Sequence, residues 1–252
     1  MTKIDSTVVV TDIRNFTGLS ILFEDRGSDI FMDFMEDYYE HHMLLAKEIS
    51  TEDVYVSTTG DGIITIFMGE NHAFEGYAYA LSMNRVLTEI CGKFSKDAGV
   101  KLSFGIGADS GFIKKIDTSK RGISINTYLG PVINRTARIE SLTKGYHFTN
   151  MAIGGNLYKL ILSLIVPDSI EIFENVTNYD DLLEDNPRLV SKSKRLLVYY
   201  GGTNVLKGLE SETLPIFRLI KKLADNDFYF WRTIITLIGK EKAKKILSLD
   251  EE

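Results

Sequence analysis

The stretch Val54 to Phe67, VYVSTTGDGIITIF, constrains the fold more than any other part of the chain. Two β-branched and aromatic runs, Val54 to Val56 and Ile63 to Phe67, flank the turn formers Thr59-Gly60-Asp61-Gly62, which predicts a β-hairpin with Asp61 at its tip. A carboxylate on a tight turn between two buried strands is rigid and exposed on one side, which suits a metal ligand. A second apolar run, Thr7 to Thr11, leads straight into Asp12. If that run lies beside the hairpin, the two carboxylates converge, and converging carboxylates in Gly-rich surroundings are what Mg²⁺ and triphosphate chemistry need. Taken singly, each acid has a plainer use: Asp61 as a hairpin residue, Asp12 as a helix cap.

The chain has 252 residues, 44% hydrophobic and 25% charged, enough for one large domain with or without an appendage. A net charge of -6 argues against a general nucleic-acid or anionic-membrane binder but leaves room for a local basic phosphate site. The single cysteine, Cys91, excludes an intramolecular disulfide and falls in an apolar helical pattern, so a buried thiol is expected. The start, MTKIDSTVVV, lacks the features of a signal peptide, and no run of 18 apolar residues occurs. A cytoplasmic protein without a membrane span is the expectation.

In chain order, Ile13 to Ser20 reads as a loop or helix start whose free N–H groups suit phosphate. Asp29 to Glu48 and Ala73 to Phe94 carry helical apolar spacing. His41 and His42 are adjacent and share no helix face, so they are expected at the surface or at a partner contact. Lys101 to Gly107 is expected as a strand, Asp109-Ser110-Gly111 as a turn, and Phe112 to Ile116 as the returning strand. Gly105, Gly107 and Gly111 suggest close backbone approach. Ile123 to Tyr128 is a further strand.

After Gly130-Pro131 a helix follows, with Pro131 in its first turn. Asn134 and Arg138, at i and i+4, project from one face of it, as a shared ligand or a solvated surface would require. Asn150 to Ile153 is a strand, Asn156 to Ile165 a helix and 168–194 a polar excursion. Arg195 to Tyr200, Thr203 to Leu206 and Leu214 to Leu219 are strands, and beyond Lys222 an aromatic-rich helical tail is a candidate dimerisation or packing element. The expected fold is α+β with one mixed or antiparallel sheet flanked by helices, residues 1–220 forming the main domain and 221–252 the tail.

In order along the chain, TDIRNFTGLS, TTGDG, FGIGADSGFI, YLGPVINRTARIES and VLKG resemble the motifs of the class III nucleotidyl cyclase catalytic domain, over about residues 5–220. The resemblance implies a ferredoxin-like βαββαβ core and a homodimer with composite active sites. It implies Asp12 and Asp61 as ligands of two Mg²⁺ or Mn²⁺ ions, with the carbonyl of Ile13 as a further ligand. It also makes Arg138 the residue that stabilises charge on the α-phosphoryl group and Asn134 the one that orients the ribose. Lys207 would hold the terminal phosphates, and Ile13 and Phe16 would line the substrate site.

Two departures bear on the base. Adenylyl cyclases of this family usually carry a Lys four residues before the second metal Asp and an Asp seven residues before the Asn; here those positions are Ser57 and Thr127. Guanylyl cyclases use a Glu and Cys pair. A pocket without those charged partners does not favour ATP or GTP. The pattern is similar to that of the bacterial Pycsar antiphage cyclases, which make cyclic UMP or cyclic CMP for a separate effector. Hydroxyls at Ser57 and Thr127 can serve either pyrimidine, and the lack of a carboxylate to accept from the cytosine amine tips the reading to UTP. An adenylyl cyclase with atypical base contacts and a catalytically inactive, cyclase-like dimeric scaffold are the alternatives. Where many cyclases place an Arg after the SG turn, this chain has Phe112, with Lys114 and Lys115 nearby.

Overall fold

The structure, a computed structural model, describes residues 2–26, 29–120, 123–144, 150–165, 198–206, 213–219 and 227–249. Val8, Val9 and Val10 give a run with no polar face, and the strand they build is covered on both sides. This strand, β1 (Ile4–Ile13), pairs antiparallel with β3 (Gly62–Met68) on one edge and with β4 (Phe104–Lys120) on the other. β2 (Val54–Thr58) completes the expected hairpin with β3. Helices α1 (Phe16–Arg26) and α2 (Asp29–Ile49) connect β1 to β2, and α3 (His72–Ala98) connects β3 to β4. The spatial order β2-β3-β1-β4 is that of a ferredoxin-like βαββαβ core.

The sheet then grows outward. β5 (Ile123–Leu129) folds back on the far end of β4 and leads into α4 (Pro131–Ser141). β6 (Met151–Gly154) pairs with β4 in parallel, α5 (Gly155–Ile165) follows, and β8 (Thr213–Leu219) with β7 (Val198–Val205) extends the edge. The result is a mixed sheet in the order β2-β3-β1-β4-β6-β8-β7, with β5 attached to β4.

Side chains alternate between two cores. Val9, Phe67 and Ile106 face Tyr38 and Leu45 of α2 and Tyr77, Leu81 and Leu87 of α3. Val8, Val10, Ile66 and Ile113 face Val132 of α4 on the opposite side. Cys91 is buried in the larger core, where loss of solvation pushes its thiol up to about 12. The tail forms α6 (Asp227–Ile238) and α7 (Lys240–Leu249), joined at Gly239, whose φ of +83° suits glycine. Phe230, Ile234, Leu237, Ala243 and Ile246 join the main core, so these helices pack on their own chain. Lys242 of α7 donates to the carbonyl of Ile49 and pairs with buried Glu75 at 3.2 Å.

Three expectations are corrected. Asp109-Ser110-Gly111 is no turn: β4 runs unbroken through it, and Asp109 is buried with its carboxylate held by Arg135 of α4 at 2.5 Å and by the Leu157 N–H at 3.1 Å. His42 is at neither the surface nor a partner contact but fully buried. The break expected between two strands at 200–203 is a register shift within one strand, β7, and residues 195–197 lie outside the described residues. The excursion at 168–194 lies outside the described residues.

Candidate active site

The pairing register brings the two acids together. Asp12, at the end of β1, lies opposite Gly62 on β3 and Gly105 on β4, and Asp61 immediately precedes Gly62. The N–H of Ile13 donates to the carbonyl of Asp61 at 3.3 Å, closing the strand end onto the turn. Alternation along β1 sends Asp12 to the face of Val8 and Val10, the α4 side, while Ile13 is buried in the other core. The turn is tight: Thr59 donates its N–H to Gly62 O at 2.8 Å, and Gly60 has a φ of +90°. A Cβ on Gly62 would meet Thr59 Oγ1 at 2.6 Å, so a side chain here would displace that of Thr59.

Asp12 remains 27% exposed, and its carboxyl pKa is raised, first by burial and then by the charge of Asp61, against the lowering effect of Arg14 and Lys144. A carboxylate disfavoured by burial and by a neighbouring acid would be stabilised by a divalent cation beside it. The donor set is hard oxygen, as Mg²⁺ and Mn²⁺ prefer. Among the described residues no group of three or more His, Cys, Asp or Glu side chains clusters as a metal site. A cation here would complete its shell from backbone carbonyl, water or substrate phosphate.

Arg14 is a site residue that sequence reasoning missed. Its guanidinium reaches Asp12 Oδ2 at 3.2 Å, Glu140 Oε1 at 2.5 Å and Thr143 Oγ1 at 2.5 Å, tying the acid strand to the end of α4. Arg14 follows the last residue of β1, so strand alternation does not mark it, and its nearness to Asp12 in the chain is the signal that was available. Glu140 is buried, which raises its carboxyl pKa against the pull of Arg14. Gly105 leaves room for this pair: a side chain there would occupy the space of the Arg14 and Glu140 side chains. At Gly107 a Cβ would lie 2.6 Å from the carbonyl of Thr136, so α4 rests directly on the backbone of β4. The close approach expected of these glycines is the observed one.

The turn is also supported from behind. Tyr38 of α2 donates its hydroxyl to the Asp61 carbonyl at 3.2 Å, and Tyr39 donates to the Gly60 carbonyl at 2.5 Å. Helical spacing alone does not mark either tyrosine as a support of the turn.

The remaining expected residues divide. Asn134 and Arg138 are exposed on α4, on the side opposite its buried residues Val132, Thr136, Ile139 and Glu140, so the chain does not bring them to its own Asp12 and Asp61. Ser57 is half-buried opposite Ile64 and shares a face of β2 with Tyr55, whose ring meets Tyr128 of β5 at 4.9 Å. Thr127, next to Tyr128, is half-buried opposite Ile116. The aromatic contact thus brings the strands that carry Ser57 and Thr127 close over the α4 face. Phe16 packs on Phe31 at 5.5 Å, at the start of α1. Lys207 lies outside the described residues. Phe112 is exposed, with the Lys3 ammonium 5.2 Å above its ring.

No protein-family model matches the sequence, and no curated protein matches it. Solved structures do. The adenylyl cyclase CyaB from P. aeruginosa aligns with a TM-score of 0.63 at 17% identity, over 87% of this chain and 95% of that one. The guanylate cyclase domain of RhGC from Catenaria anguillulae, solved in complex with GTP, aligns at 0.58 and 18% identity, over 87% and 98%. The guanylyl cyclase Cya2 aligns at 0.56 and 17% identity, over 86% and 92%. Among the described residues no helix is long and apolar enough to cross a membrane. The chain therefore has the α+β fold of the class III adenylyl and guanylyl cyclase catalytic domain.

Proposed function

We propose that this chain is a nucleotidyl cyclase that converts a pyrimidine nucleoside triphosphate, UTP before CTP, to the 3′,5′-cyclic monophosphate and pyrophosphate. The observation that carries the reading is the convergence of Asp12 and Asp61 at one end of a cyclase fold. In this reading Asp12, Asp61 and the carbonyl of Ile13 hold two Mg²⁺ or Mn²⁺ ions. Bound there, such ions lower the pKa of the ribose 3′-hydroxyl and offset the triphosphate charge. The N-terminus of α1, which begins at Phe16 and has no acidic residue in its first turn, would offer free N–H groups to the phosphates. Arg138 stabilises charge on the α-phosphoryl oxygens, Asn134 orients the ribose, and Lys207 holds the terminal phosphates.

Asn134 and Arg138 face away from the acids of their own chain, which supports a homodimer in which each copy completes the other's site. Ser57 and Thr127, uncharged and half-buried, would read the base edge. The catalytic unit would be residues 1–220, with α6 and α7 as a tail packed on it. The product would serve as the second messenger of an antiphage system, acting on a separate effector.

Purified protein incubated with Mn²⁺ and ATP, GTP, CTP or UTP singly, with products identified by mass, tests this. Cyclic UMP or cyclic CMP is the expected product. Cyclic AMP alone would overturn the pyrimidine assignment, and no product from a verified dimer would favour the inactive scaffold.

A further inference from the structure

Behind the hairpin turn the core holds a continuous chain of side-chain hydrogen bonds, and its proton directions follow from valence. Tyr38 donates its only hydroxyl proton to the Asp61 carbonyl. Its 2.9 Å contact with Thr11 Oγ1 must then run from the threonine hydroxyl to the tyrosine oxygen. With its proton so engaged, Thr11 can meet His42 Nε2 at 3.1 Å only as acceptor, which places hydrogen on Nε2. His42 is neutral, since burial pushes its pKa down to about 3. Its Nδ1 is therefore bare and accepts from the Tyr79 hydroxyl. Tyr79 in turn accepts from Thr65 at 2.9 Å.

All five side chains are at most 1% exposed. A core selected for packing alone has no use for so many buried polar groups. Here each is satisfied and every donor points toward the turn, an arrangement in which neighbouring bonds polarise and strengthen one another.

We propose that Thr65, Tyr79, His42, Thr11 and Tyr38 form a one-directional relay that positions Asp61, with Tyr38 as the residue that delivers it to the turn. This rests on the reading of Asp61 as a metal ligand. The peptide before Asp61 is fixed in the same way by Tyr39 on Gly60, so consecutive tyrosines of α2 hold consecutive carbonyls of the turn. Adjacent helical residues point about 100° apart, and only a turn seated across the helix meets both. The ring of Tyr38 also stacks beside Phe34, which fixes its orientation. In this role Tyr38 is a positioning residue: it acts on the cation through the backbone of Asp61.

Two measurements on the full chain decide it. The ¹⁵N resonances of the His42 imidazole are expected to show hydrogen on Nε2 and a bare Nδ1; the opposite tautomer overturns the relay. Mn²⁺ binding, followed by loss of the free-ion EPR signal, is expected to weaken about tenfold in Tyr38→Phe, the usual loss when an outer-shell partner is removed. Thr65→Val, remote from the turn and similar in shape, is expected to give a smaller loss in the same direction. Wild-type affinity in both variants, with Asp61→Ala impaired, overturns the positioning role. Asp61→Ala binding Mn²⁺ as the wild type does, or no Mn²⁺ binding by the wild type, overturns the metal reading instead, and the tautomer then decides the relay alone.

Discussion

Two acid and arginine pairs flank the contact of α4 with the sheet, Asp109 of β4 with Arg135 of α4 and Asp12 at the end of β1 with Arg14 just after it, and they are left in different states. At one, Asp109 is 2% exposed, Arg135 takes one carboxylate oxygen, and the Leu157 N–H at the start of α5 takes the other. At the other, Arg14 takes Oδ2 of Asp12, while Oδ1 lies toward Gly62 and the side chain stays 27% exposed. The same chemical pair thus closes a joint in one place and leaves a carboxylate partly exposed in the other. What separates them is not the partner but whether the second oxygen is already engaged.

Exchanging Asp12 for Asn should separate the two ends most sharply. Turnover is expected to fall about a thousandfold, since metal-assisted charge stabilisation is worth several kcal/mol. The thermal midpoint should hold or rise, because a carboxylate disfavoured by burial and by Asp61 is gone. Steady-state kinetics beside calorimetry checks both, and a large drop in stability with turnover intact would erase the distinction. Asp109→Asn should do the reverse, costing about 3 kcal/mol in denaturant unfolding, as breaking a buried ion pair does, with the Mn²⁺ affinity of the folded protein unchanged.

Arg14→Met falls between the two. It leaves Glu140 buried without its guanidinium, at a cost of about 2 kcal/mol, and frees α4 from the acid strand, so both stability and turnover should drop. A pH effect lies behind the open end and is seen only on acidification. His42 has a folded pKa of about 3 against 6.5 in the unfolded chain, so the unfolded state binds the extra proton. That contribution to stability is present above pH 6.5 and is lost as pH falls toward 3, at up to about 1.4 kcal/mol per pH unit. Unfolding of the wild type and of His42→Gln across this window should show the slope flattened in the variant.

Much of this was legible in the sequence. β1, the β2–β3 hairpin and the helices α2, α3 and α4 follow from apolar periodicity and turn chemistry, and the nearness of Asp12 to Asp61 follows from them. Asp109-Ser110-Gly111 misled because those residues favour turns locally, whereas here the carboxylate meets Arg135 and α5 from outside the strand. His42 misled because adjacency on a helix says nothing of which neighbours cover it; Thr11 and Tyr79 lie 31 and 37 residues away. Arg14 was overlooked beside a more conspicuous acid. The split of α4, with Glu140 turned in and Arg138 out, is tertiary information that i and i+4 spacing does not carry.

Under the proposed homodimeric reading, the outward aspect of α4 has a consequence for dosage. An active site assembled from the acids of one copy and the α4 side chains of another exists only while two copies are joined. At low abundance its concentration rises with the square of the protein's own. Doubling expression then raises output fourfold until pairing saturates, so such an enzyme is quiet when scarce, and abundance itself becomes a threshold.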